Sequence, residues 1–206
     1  MYHGERFNSI SHLIGSIFSV TGLVVLVVLA SLQGDPWKIV SFSIYGATLV
    51  VLYTASTVYH SIRQPRAKAW LRKLDHSAIY LLIAGSYTPF ALITLRGTWG
   101  WLLFGLSWGL AIFGIAQELT LGRRTRVLSL ILYVVMGWLV LIAIKPLMAA
   151  LPAGGLAWLA AGGVVYSLGI YFYLNDERVR HYHGIWHLFV LGGSICQYVS
   201  VLFYVA

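Results

Sequence analysis

His12-Leu-Ile-Gly-Ser-Ile-Phe-Ser-Val-Thr-Gly-Leu-Val-Val-Leu-Val-Val-Leu-Ala-Ser-Leu32 contains no Asp, Glu, Lys or Arg. A helix that crosses a bilayer needs about 20 such residues. A membrane-barrel strand would alternate apolar and polar side chains over roughly 10 residues, and this run does not alternate. It is also longer than the core of a secretory leader, and no small-residue cleavage pattern follows it. The stretch is therefore expected to remain as a first transmembrane helix. Further along the chain, apolar runs and their breakers give six more spans, so that seven are expected at about 12–32, 39–60, 76–95, 99–117, 127–147, 156–174 and 185–205. The breaks are Gln33–Pro36, the basic stretch Arg63–Lys73, Arg96–Thr98, Gly122–Arg126, Leu151–Gly155 and Asn175–His183.

Composition agrees. Of 206 residues, 59% are hydrophobic and 10% charged, with a mean hydropathy of +0.81. A soluble domain carries about 25% charged residues, so this chain cannot cover a water-facing surface. A soluble enzyme, a disordered chain and a disulfide scaffold are excluded. The single cysteine, Cys196, permits no intrachain disulfide and reads as a small buried hydrophobe. No internal repeat, linker or low-complexity tract interrupts the chain, and residues 1–206 read as one all-α seven-helix transmembrane domain.

The net charge of +8 would suggest nucleic acid in a soluble protein, but its distribution has another cause. Arg6, Arg63, Arg66, Lys68, Arg72, Lys73, Arg123, Arg124, Arg126, Arg178 and Arg180 fall on one side of the expected topology; only Lys38, Arg96 and Lys145 fall on the other. Basic residues collect in cytoplasmic loops. The N-terminus is thus expected inside and the C-terminus outside, and no nucleic-acid partner is expected. Trp37, Trp99, Trp101 and Trp158 near the outer ends, with Trp70 and Trp186 near the inner ones, read as interfacial belts.

Ionisable residues at the edges of spans are functional-site hypotheses by default, and here they converge. The topology brings His12, His60, Asp75, His183 and His187 to the inner leaflet, whereas the outer half contains no histidine. His183 and His187 are four apart, one helical turn, and offer two imidazoles on one face; Ser56 and His60 share that spacing. Three histidines with an open fourth position make a catalytic-type zinc site, with a nearby carboxylate as its usual partner. Asp75 read alone would also suit an N-cap of the third helix. Glu5 and His12 are placed to cover the site from the N-terminal side. His3, His76 and His181 read as interfacial or hydrogen-bonded side chains, and Glu118 as an ion-pair partner of the Arg123–Arg126 cluster at a solvated edge.

These residues carry a resemblance. Glu5, Asn8 and Ser11-His12, then Ser56-Thr-Val-Tyr-His60, Asp75-His76-Ser-Ala-Ile-Tyr80, Ala84-Gly-Ser-Tyr-Thr-Pro89 and His183-Gly-Ile-Trp-His187-Leu-Phe follow one another in order. The chain resembles the hemolysin III family, the bacterial branch of the progestin and adipoQ receptor group, across nearly its whole length. The resemblance implies seven helices with an inward N-terminus and zinc on His60, His183 and His187. It further implies Asp75 contacting the zinc through water, with Ser56 lining the site. The group has been proposed to contain metal-dependent membrane hydrolases, and the family name implies cytolysis or pore formation.

The expected function is zinc-dependent hydrolysis of a lipid amide or ester in a bacterial inner membrane, with Asp75 and Ser56 as catalytic residues and membrane lipid as the partner. A channel lined by the inner-leaflet histidines and a sensor with structural zinc are the rivals. Transporters commonly carry broken helices or charges at mid-depth; Pro89 and Pro146 are candidate kinks, but no charge lies at mid-membrane. The short approach to the first span argues against a protein-hormone receptor.

Overall fold

The computed structural model describes residues 1, 4–121 and 126–206. It is all-helical among those residues, with seven helical spans long and apolar enough to cross a membrane. The helices are α1 Arg6–Gln33, α2 Pro36–Ser61, α3 Pro65–Pro89, α4 Thr98–Leu121, α5 Arg126–Gly137, α6 Ile144–Ala150, α7 Ala153–Asn175 and α8 Tyr182–Tyr204. Together α5 and α6 make the fifth span. Local signals set several ends. Asp35 accepts hydrogen bonds from the Trp37 and Lys38 amides at 2.9 and 3.3 Å, with Pro36 opening α2. Gly34, at φ +68°, ends α1.

Two expectations are corrected. The basic stretch Arg63–Lys73 is mostly helix: α3 starts at Pro65, and the span expected from residue 76 is its continuation. Proline suits a first helical position, and Ala67, Lys68, Leu71, Arg72 and Lys73 are good helix formers. Asp75 consequently lies about three turns inside α3 and is not an N-cap. The fifth span, in which Pro146 is a candidate kink by sequence, is broken by a 3₁₀ stretch at Leu139–Ala143. Pro146 lacks the amide that would bond the Ile142 carbonyl, and its ring crowds that carbonyl, so the disturbance lies upstream of the proline.

The free backbone groups at this break are satisfied from α3. The Tyr87 hydroxyl accepts the Val140 amide at 2.9 Å and donates to the Gly137 carbonyl at 3.0 Å. Beyond Pro89, a π-helical turn at Phe90–Thr94 completes the third span.

Packing runs α8–α1–α2–α3–α4, with α7 resting on α8 and α5 lightly on α3 and α4; the fifth and sixth spans barely touch. A cavity of about 410 Å³ fills the gap, lined by Leu82, Tyr87 and Phe90 on one side and Leu159, Gly163 and Tyr166 on the other. Val134, Leu141 and Met148 line it and are 37%, 54% and 61% exposed, and the fifth and sixth spans barely touch, so it opens sideways between these spans. One side-chain hydrogen bond, Trp138 Nε1 to Ser167 Oγ at 3.2 Å, crosses the opening.

Candidate metal centre

The last turn of α2 presents Ser56 and His60, the third turn of α3 Asp75, and the first two turns of α8 His183 and His187. The fold brings the three histidines together: one ligand atom from each lies within 4.8 Å of the others. Their ring centroids are 5.1 Å (His60–His183), 5.0 Å (His60–His187) and 4.8 Å (His183–His187) apart. His60 and His187 are buried, and the His183 side chain is 27% exposed.

Each imidazole is oriented through Nδ1. His60 Nδ1 lies 2.7 Å from Glu5 Oε2, His183 Nδ1 2.7 Å from Asp176 Oδ2, and His187 Nδ1 3.2 Å from the Asn8 carbonyl. Ionised carboxylates and backbone carbonyls only accept, so Nδ1 carries the proton in all three rings. In the neutral ring this leaves Nε2 with its lone pair, the tautomer of a metal-ligating histidine. His60 Nε2 is buried with no partner of its own. The donor set therefore fits a metal ion that prefers nitrogen ligands, zinc among them.

Glu5 is itself held, by Lys68 Nζ at 3.0 Å and Asn8 Nδ2 at 2.8 Å. Partial burial pushes its carboxyl pKa up, but hydrogen bonds from His60, Lys68 and Asn8 outweigh this and hold it at about 2. For Asp176, burial likewise raises the pKa, and His183 with Arg126 prevails to leave it below its ordinary value. The start of α1 is seated on α8 where Gly184 meets the Phe7 ring, a contact with no room for a side chain at 184.

His12 packs against the cluster. It stacks on His187 with centroids 3.6 Å apart and planes 13° from parallel, and both of its buried ring nitrogens lack partners. His12, Ser56, Asp75, His183 and His187 help line a small cavity of about 20 Å³, room for about one water. Ser56 Oγ is buried there without a partner. Leu52, Ile79, Trp186 and Val190 line both this cavity and the large apolar one, so these four side chains form the wall between the two. Trp186 is thus turned into the bundle instead of joining an interfacial belt.

Glu118 differs from expectation as well. It is 2% exposed and contacts His76 Nδ1 at 3.1 Å and Ser129 Oγ at 3.3 Å. Arg126 turns to Asp176 and Glu177 instead. The expectations for Arg123, Arg124 and His3 lie outside the described residues. Asp176 was not anticipated as a site residue, since it lies in the stretch read as a connecting loop. The available signal was the short supply of acids: five of the six, all but Asp35, fall at the histidine-bearing end.

Comparison with known proteins settles the lineage. The family model described as Haemolysin-III related matches residues 1–198. The chain belongs to that family. It is similar to Hemolysin-3 of Bacillus cereus, at 48% identity over 98% of this chain and 91% of that one. Similarity to the Hemolysin-3 homolog of Bacillus subtilis (strain 168) is 46%, over 97% and 93%. A more distant likeness, 29% over 88% and 77%, reaches the monocyte to macrophage differentiation factor of Homo sapiens. This haemolysin-III related protein is accordingly a multi-pass membrane protein whose three gathered histidines could hold a metal ion.

Proposed function

We propose that this protein is a zinc-dependent hydrolase acting on an amide or ester bond of a membrane lipid, with His60, His183 and His187 as the zinc ligands. The supporting observation is the adjacency of the two cavities: the large apolar chamber beside the fifth and sixth spans shares the wall formed by Leu52, Ile79, Trp186 and Val190 with the one-water chamber that Ser56, Asp75, His183 and His187 line. The large cavity lies within the 300–1,000 Å³ or so typical of small-ligand sites. An acyl chain entering between the fifth and sixth spans would bring its linkage to the histidines. When bound, zinc supplies a Lewis acid that polarises a carbonyl and acidifies water. Asp75 takes the proton of the attacking water and returns it to the leaving group. Ser56 Oγ, one turn before His60, hydrogen-bonds the water or the developing oxyanion. In the same reading the histidine-bearing end faces the cytoplasm of the bacterial plasma membrane.

The test is turnover of labelled ceramides and other lipid amides and esters by purified protein in bilayers. Asp75→Asn should keep its zinc and lose turnover, because it preserves shape and removes the base. Absence of turnover by the wild type on a broad lipid panel, or equal rates in Asp75→Asn, would overturn the assignment. The names of the Bacillus relatives favour a second reading, membrane permeabilisation. Ion leak from liposomes that depends on the same histidines would support that reading.

A further inference from the structure

The fifth and sixth spans are apart at mid-depth but strapped together at the end that carries the histidines. Arg126, the first residue of α5, donates from Nη2 to Asp176 Oδ1 at 2.6 Å and from Nη1 to Glu177 Oε1 at 2.7 Å. Its guanidinium lies 4.4 Å above the Tyr173 ring of α7. The second oxygen of Asp176 is the one that receives His183 Nδ1, at 2.7 Å. One carboxylate therefore bridges a cavity-wall helix and a metal-ligand candidate.

We propose that Arg126 is a positioning residue for the metal, acting through Asp176 to fix His183. The proposal rests on the three-histidine reading given above. His183 needs the constraint most, since its side chain is 27% exposed while that of His60 is 3%. Asp176 lies just beyond the end of α7, outside regular helix. An aspartate there has rotamer freedom, and a guanidinium clamping one oxygen fixes where the other points. Glu5 and the Asn8 carbonyl, which orient His60 and His187, both come from the start of α1. Only the third ligand depends on the spans that flank the lipid opening.

The experiment uses full-length protein in lipid nanodiscs, with zinc affinity read by competition against a chromophoric chelator and ligand geometry by the visible absorption of the cobalt(II) form. Loss of an outer partner of a ligating histidine typically weakens a metal by about 10–100-fold. Arg126→Ala and Asp176→Asn should show that loss and a shifted cobalt spectrum, and Arg126→Lys should recover part of it. Glu177→Ala removes the other ion pair of Arg126 without touching His183, so it should match the wild type. A merely structural strap would make Glu177→Ala and Arg126→Ala fall together, and that result overturns the proposal. Wild-type affinity and spectrum in Asp176→Asn also overturn it, even if Arg126→Ala does not fold. His183→Ala separates the two ideas. If it keeps full zinc, the three-histidine reading fails and the proposal fails with it. If it loses zinc while Arg126→Ala and Asp176→Asn do not, only the role of Arg126 and Asp176 fails.

Discussion

At the scale of single residues, the candidate centre gathers three imidazoles, with one possible ligand nitrogen of each within 4.8 Å of the others. Removing any one ligand leaves two, a poor zinc site. His60→Ala, His183→Ala and His187→Ala are each expected to lose most of a stoichiometry near one zinc per chain, whereas His181→Ala, outside the cluster, keeps it. Metal analysis of purified variants checks this, and unchanged zinc in His187→Ala would refute the ligand set. Glu5→Gln keeps an oxygen for His60 Nδ1 but removes the charge that Lys68 also uses. Its zinc affinity is expected to fall by about tenfold or more in a chelator competition. Much of this was legible in advance. The spacing of His183 and His187, with His60 at the same leaflet, pointed to the cluster from sequence alone. Asp176 was not legible, because a loop aspartate becomes a histidine partner only when α7 and α8 are folded side by side. The same holds for Glu118, whose contacts with His76 and Ser129 exist only once α3, α4 and α5 pack together.

At the scale of elements, the spans were readable from apolar length and their kinks from Pro89 and Pro146, but the form of each break was not. Pro146 marked the fifth span as a kink candidate, yet the disturbed turn lies upstream, where the ring meets a carbonyl. Nothing in the sequence of that span shows that Tyr87, on another helix, occupies the gap. Tyr87→Phe tests this contact. It leaves the Val140 amide and the Gly137 carbonyl without their partner in a region with little water, and a buried group so orphaned costs about 1–3 kcal/mol. A lowered thermal midpoint with the zinc content unchanged is the expected outcome; an unchanged midpoint would mean that water replaces the hydroxyl. The start of α3 teaches the converse lesson. Charge marked Arg63–Lys73 as a break in the apolar pattern, but charge does not end a helix, and Pro65 with a run of helix formers begins one.

At the scale of the whole molecule, the eleven-to-three distribution of basic residues sets the expected orientation. Reporter fusions in the connection at Ile62–Gln64 should report a cytoplasmic location, and fusions at the C-terminus an external one. An inward C-terminus would overturn the topology. The order of the bundle also explains which residues meet. The first, second and last spans pack together, so the N-terminal turn of α1 can reach His60 and His187 despite a separation of 55 residues from Glu5 to His60 and 179 from Asn8 to His187. The gap between the fifth and sixth spans has a kinetic consequence of its own. A molecule that enters there arrives by diffusing in two dimensions, and its supply is set by how many copies occupy each unit of membrane area. Under the proposed hydrolase reading, diluting a fixed amount of substrate with inert lipid would then slow turnover while the bulk concentration stays constant. Under that reading, adding more vesicles of unchanged composition would leave the rate per protein molecule as it was.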